Sequence, residues 1–177
     1  GREHSFPTRR SSDLRRRFTA IRAFRGSAWR NWATSGLLSN FDHFVEMQAL
    51  RPLAIKSTID LMLADPQFAA SVDPSRIGGV GGSMGGATMI WLLGAKITSS
   101  YFKLDARDTV HDPRIRAAVG YVPYAGQTFL PAFGDDNATA TAVSAPFLAI
   151  SGTDDTTAPI KMMEQALNNF RGTRYQV

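Results

Sequence analysis

Apolar residues recur with two different periods along this 177-residue chain, and the switch between periods marks its elements. From about Arg51 to Leu63, Leu53, Ile55, Ile59, Met62 and Leu63 recur at helical spacing, and Pro66 ends or follows that helix. Short apolar runs at 76–81, 116–122 and 146–150 have the length and composition of strands. Between and after them, 84–95 reads as a buried helix. Ile160, Met163, Ala166, Leu167 and Phe170 put one apolar face on a helix over 160–170. Such alternation predicts an α/β fold, a mostly parallel sheet with helices on both faces. The polar stretch 96–112 reads as a loop or insertion. Residues 123–145, rich in Gly, Pro, Asp, Asn and Thr, form a long excursion of the kind that builds binding loops or lids. Residues 15–49 carry no clear pattern.

Gly81-Gly82-Ser83-Met84-Gly85 falls between a predicted strand and a predicted helix. A serine in so tight a turn needs small neighbours, and the turn lifts its Oγ clear of the backbone. Met84, the next residue, offers its backbone N–H at a helix N-terminus, where a developing oxyanion is stabilised. The bland alternative is a glycine-rich turn that packs a helix closely on a sheet. A phosphate-binding loop fits worse: no G-x-G-x-x-G register exists over 78–86, and no Lys follows Gly86.

A second cluster follows the strand at 146–150. Ser151-Gly152-Thr153-Asp154-Asp155-Thr156-Thr157-Ala158-Pro159 places two carboxylates at the carboxyl end of a strand, where open α/β sheets build their sites. In a catalytic triad such a carboxylate orients a histidine and stabilises its protonated form. The structural alternative is a helix cap made by Thr156 or Thr157, with Pro159 in the first turn.

With these residues in hand, the chain resembles the α/β-hydrolase superfamily, and within it the dienelactone-hydrolase-like and bacterial cutinase-like carboxylesterases. The matching residues are Val72-Asp73-Pro74-Ser75-Arg76-Ile77, Gly81 to Gly86, Pro146 to Ile150, and Gly152-x-x-Asp155-x-x-Ala158-Pro159. The resemblance spans roughly residues 51–177 and implies an incomplete α/β-hydrolase domain over 50–177. It further implies Ser83 as nucleophile, Asp155 rather than Asp154 as triad acid, and the Met84 N–H as one half of an oxyanion hole, with no cofactor or metal. The expected activity is hydrolysis of short-chain, lactone or polyester substrates through an acyl-enzyme. Two features depart from the pattern. The family's histidine follows the acid, yet His4, His43 and His111 all precede Asp155. No His-Gly loop supplies the second oxyanion donor. Truncation at both ends is the expectation that accounts for both, with a chain nearly inactive as it stands.

His4 to Leu14 resembles a translated short-read sequencing adapter, so residues 1–14 are set apart from fold and function. That changes the electrostatics. The net charge of +5 arises because residues 1–30 hold nine Arg against Glu3 and Asp13. Residues 31–177 hold 11 Lys and Arg against 13 Asp and Glu, a net of −2. No nucleic-acid partner is therefore expected of the body, although the arm over 15–30 is the feature on which a nucleic-acid reading would rest. Zero cysteines exclude disulfides and thiolate metal sites, and the longest apolar stretch, 87–95, is too short to span a bilayer. His111, beside Asp108 and Asp112, reads as a surface histidine before a metal ligand. Tyr121, Tyr124 and Phe129 are equally candidates for a substrate pocket and ordinary packing aromatics. A non-catalytic protein of the same fold remains the alternative function.

Overall fold

A parallel ladder of four short strands organises the described part of the chain. The computed structural model describes residues 41–99, 104–107 and 111–177, so the adapter-like segment and the basic arm lie outside the described residues. In order, the elements are α1 (Phe41–Ala64), α2 (Pro66–Ala69), β1 (Ile77–Gly82), α3 (Met84–Leu92), β2 (Ile97–Ser99) and β3 (Leu104–Arg107). Then follow β4 (Ile115–Tyr121), β5 (Gly126–Gln127), β6 (Leu130–Pro131), a 3-10 helix (Asp135–Ala142), β7 (Phe147–Ile150), α4 (Ile160–Asn169) and β8 (Arg174–Gln176). Residues 47–177 make one compact unit.

The main sheet runs β1-β4-β7-β8, each neighbouring pair parallel. This is an α/β architecture with a mainly parallel sheet, as the alternation of periods predicts. The stretch expected to be a plain loop, 96–112, instead contains the antiparallel pair β2–β3. Alternation across each strand sends Ala118, Phe147 and Ala149 into the core and turns Val80, Tyr121 and Tyr175 outward.

Only one face of the sheet is covered among the described residues. Residues Gly86 to Leu92 of α3 are all buried, which is why that helix is apolar on every side. Trp91 meets Phe133 edge to face at 5.6 Å, and Phe147 meets Phe170 at 5.7 Å, tying α3, the excursion, β7 and the end of α4 into one cluster. From α1, Ile59 packs on the same cluster, whereas Leu53, Ile55 and Met62 are exposed. The opposite face presents Val80, Tyr121, Ile150 and Tyr175 to solvent, with Val80 77% exposed. The expectation of helices on both faces therefore holds for one face: every described helix that joins the core does so on the α3 side.

Two polar devices fasten the surrounding segments. Asn137, fully buried at φ 54°, accepts from the Phe133 N–H at 3.0 Å and donates to the Met162 carbonyl and to Gln165 Oε1. It secures the excursion to α4 and satisfies groups that packing has removed from water. At the amino end of β4, the carboxylate of buried Asp112 accepts from the backbone N–H of Arg114 and from its guanidinium, at 2.8 Å from Nε. The same guanidinium reaches Asp60 on α1 at 2.7 Å. Those hydrogen bonds hold the Asp112 carboxyl below the usual carboxylate range and raise Arg114.

Asp112→Asn should cost about 2 kcal/mol, the scale of a lost hydrogen bond to a charged partner, measured by urea unfolding. Because the folded-state pKa is depressed, the stability Asp112 contributes is present above the unfolded value near ~4 and disappears as pH falls through the folded value. The variant should accordingly lose part of the wild-type decline in stability below about pH 4.

Candidate active site

Strand β1 ends at Gly82 and helix α3 begins at Met84, leaving Ser83 alone to reverse the chain. It does so at φ 52° and ψ −119°, a conformation rarely adopted by a residue with a side chain. Gly81 makes the turn possible. A Cβ there would overlap the carbonyl of Gly85, so strand and helix approach more closely than any other residue permits. The backbone of Ser83 is held from three sides. Its N–H donates to Tyr121 O at 2.9 Å, and its carbonyl accepts from Gly86 at 2.9 Å, Ala87 at 3.3 Å and Tyr124 at 3.1 Å. Its side chain is different: it is exposed and caps nothing. The N–H groups of Met84 and Gly85 open α3, where no intrahelical acceptor reaches them and the helix dipole favours negative charge.

Asp155 lies in the loop between β7 and α4, half-buried. One carboxylate oxygen, Oδ1, accepts from Thr157 N–H at 2.7 Å and Ala158 N–H at 2.8 Å. These two bonds orient the group and leave Oδ2 available to another donor. Asp154 is exposed. The threonine cap is not what forms: α4 is capped at Pro159 without a side-chain bond, and the carboxylate of Asp155 makes the local turn instead.

The parallel register aligns Gly82, Tyr121 and Ile150, so the loops carrying Ser83 and Asp155 leave the same edge of the sheet. With β4 between them, their parent strands are roughly 10 Å apart. Coupling a hydroxyl to a carboxylate across that interval takes a third group. His111 cannot be that group, because it precedes β4, at the amino end of a strand roughly 20 Å long whose carboxyl end faces Ser83. His4 and the side chain of His43 lie outside the described residues. Among the described residues, no three His, Asp or Glu side chains converge in a way that would hold a metal.

The three aromatics do not share a pocket. Tyr124 sits half-buried beside Ser83, and burial raises its hydroxyl above the ordinary tyrosine value. Tyr121 faces outward on the uncovered side of the sheet, and Phe129 stands 76% exposed at the tip of the β5–β6 hairpin. An open groove of about 360 Å³ lies elsewhere, lined by Glu164, Leu167, Asn168, Arg174, Tyr175 and Gln176. It contains neither Ser83 nor Asp155.

A second strained residue escapes sequence reasoning. Val122 has φ 47°, and its N–H donates to Ile150 O at 2.6 Å. A β-branched residue before proline is expected to be extended, so nothing local signals this bend. No protein-family model matches the sequence, and no curated protein matches it. No described helix is long and apolar enough to cross a membrane.

Gly81→Ala should destabilise the fold by about 1–3 kcal/mol, the usual cost of forced overpacking. Gly85→Ala, with nothing within 4 Å of the new Cβ, should be neutral or stabilising by up to about 1 kcal/mol. Urea titrations of both variants check the contrast. Ser83→Gly should be more stable than Ser83→Ala by roughly 1–3 kcal/mol, because only glycine relieves the positive φ.

Proposed function

We propose that this chain carries the nucleophile and acid of a serine hydrolase acting on carboxylic esters, within an α/β-hydrolase fold. The observation that carries the reading is Ser83: a strained, exposed serine between a parallel strand and a helix N-terminus, whose hydroxyl does not cap the helix that follows. Strain of this kind persists where the surrounding structure enforces it, and it clusters at reacting groups. The order of the sheet supports the same fold, since the serine and the acid follow β1 and β7 at one edge of a parallel sheet. Short-chain esters, lactones and polyesters are the proposed substrate classes, with no cofactor, no metal and no nucleic-acid partner.

In the proposed reaction Ser83 Oγ attacks the ester carbonyl carbon while an imidazole takes its proton. The negative charge that develops on the carbonyl oxygen is met by the Met84 N–H and the α3 dipole. Asp155 Oδ2 accepts the other imidazole N–H and stabilises the imidazolium. Collapse expels the alcohol, which takes the proton back from the imidazolium and leaves an acyl-serine. Water, deprotonated by the imidazole, then releases the acid and restores Ser83.

A second reading, a non-catalytic protein of this fold, is favoured by one observation. Among the described residues His111 lies at the amino end of β4, away from the sheet edge that carries Ser83 and Asp155. Supplying free imidazole separates the two. Without it, hydrolysis of a p-nitrophenyl ester should match that of Ser83→Ala, since losing one triad member costs on the order of 10³-fold or more. With it, wild type should show saturable turnover above the Ser83→Ala background, lowered about tenfold or more by Asp155→Asn. Equal rates for wild type and Ser83→Ala at every imidazole concentration would leave the non-catalytic reading standing.

A further inference from the structure

We infer that Gln127 is a positioning residue for Asp155, clamping both peptide planes that hold its carboxylate; the role rests on the esterase reading, whereas the clamp itself does not. Its side-chain amide donates to Thr157 O at 2.9 Å and, more weakly, to Thr156 O at 3.4 Å. The Thr156 carbonyl shares its peptide plane with the Thr157 N–H, and the Thr157 carbonyl shares its plane with the Ala158 N–H. Those two N–H groups are the donors to Asp155 Oδ1. A peptide unit is rigid and planar, its carbonyl and N–H pointing opposite ways. Fixing the carbonyl end from one side therefore fixes the N–H end on the other. Hydrogen bonding at the carbonyl also polarises the amide and strengthens the bond it donates.

The clamp stands on a frame that begins at Ser83. Tyr121 O accepts from Ser83 N–H, Val122 N–H donates to Ile150 O, and Tyr124 N–H returns to Ser83 O. The bend at Val122, φ 47°, is what brings the chain back to the elbow. Ala125 O then accepts from Ala132 N–H at 2.9 Å, closing the β5–β6 hairpin. Gly126, at φ 100°, lies so close to Leu130 O and Ala132 N that no Cβ fits. Gln127 projects from this hairpin onto the acid loop, where, besides the two bonds to Asp155 Oδ1, the backbone bond between Gly152 and Thr157 is Asp155 N–H to Gly152 O, at 3.4 Å. One continuous segment, Tyr121 to Gln127, thus sets the elbow and the acid loop relative to each other.

The test compares the 177-residue protein with Gln127→Met, of similar length without a donor, and Gln127→Lys, which restores a donor at similar reach. Amide hydrogen exchange by NMR is read at Thr157 and Ala158, with Val119 in β4 as the internal measure of folding. Gln127→Met should speed exchange at both loop amides about tenfold or more while Val119 is unchanged, and Gln127→Lys should recover much of the protection. In the imidazole titration, Gln127→Met should raise the half-saturating concentration several-fold with a smaller change in the rate at saturation. Unchanged exchange at Thr157 and Ala158 overturns the clamp. Faster exchange with an unchanged half-saturation overturns the positioning role. Faster exchange in Gln127→Met with no Ser83-dependent turnover in wild type overturns the esterase reading and leaves the clamp intact.

Discussion

The contact between Gly81 and the carbonyl of Gly85 is the constraint on which the described structure turns. It lets α3 start one residue after β1 ends, and that single connecting residue, Ser83, has to take a positive φ. The same close approach buries α3 against the sheet from Gly86 to Leu92, so the core cluster and the strained serine have one origin. Strain at Ser83 is thus balanced by burial of the helix that follows it. The serine side chain is left exposed and does not cap the helix.

Around that elbow the protein uses backbone atoms more than side chains. Ser83, Tyr121, Val122, Tyr124 and Ile150 are joined through N–H and carbonyl groups, and even Asp155 is oriented by two backbone donors. Backbone networks of this kind tolerate many side chains but little displacement, since each peptide plane transmits its orientation to the next. Charged pairs matter at the other end of the sheet, where Asp112 and Arg114 fasten the start of β4 and reach Asp60 of α1. The proposed chemistry and the charged anchor therefore occupy opposite ends of the same strands, and each can be altered without touching the other.

Much of the fold was legible because periodicity survives folding. The strands at 77–82, 115–121 and 147–150 and the helices at 84–92 and 160–169 lie within a few residues of the positions their apolar spacing predicts. Where the pattern misled, a tertiary cause is visible. The polar stretch after α3 forms the β2–β3 pair, because a hairpin needs only backbone complementarity and turns. The apolar stripe of α1 leaves Leu53, Ile55 and Met62 exposed, while Ile59 packs on the core cluster. Asp155 could be placed at the end of a strand from sequence, but the choice of its carboxylate over a threonine to shape the loop could not. Cap and turn residues compete for the same few N–H donors, and their relative reach is set by the folded loop.

The sequence by itself determined the order of the main-sheet strands and of the helices between them, the glycines that permit a one-residue turn, and the serine placed in it. Those are local properties: a missing Cβ or an apolar period acts within a few residues of where it is written. Only the tertiary structure decided that the loops of Ser83 and Asp155 open at one sheet edge, that His111 belongs to the other, and that Val122 bends against its own preference. It alone joined Gln127 to the peptide planes behind Asp155. These are pairings between residues far apart in the chain, and no periodicity encodes them, because they exist only once parallel strands fix which ends lie side by side.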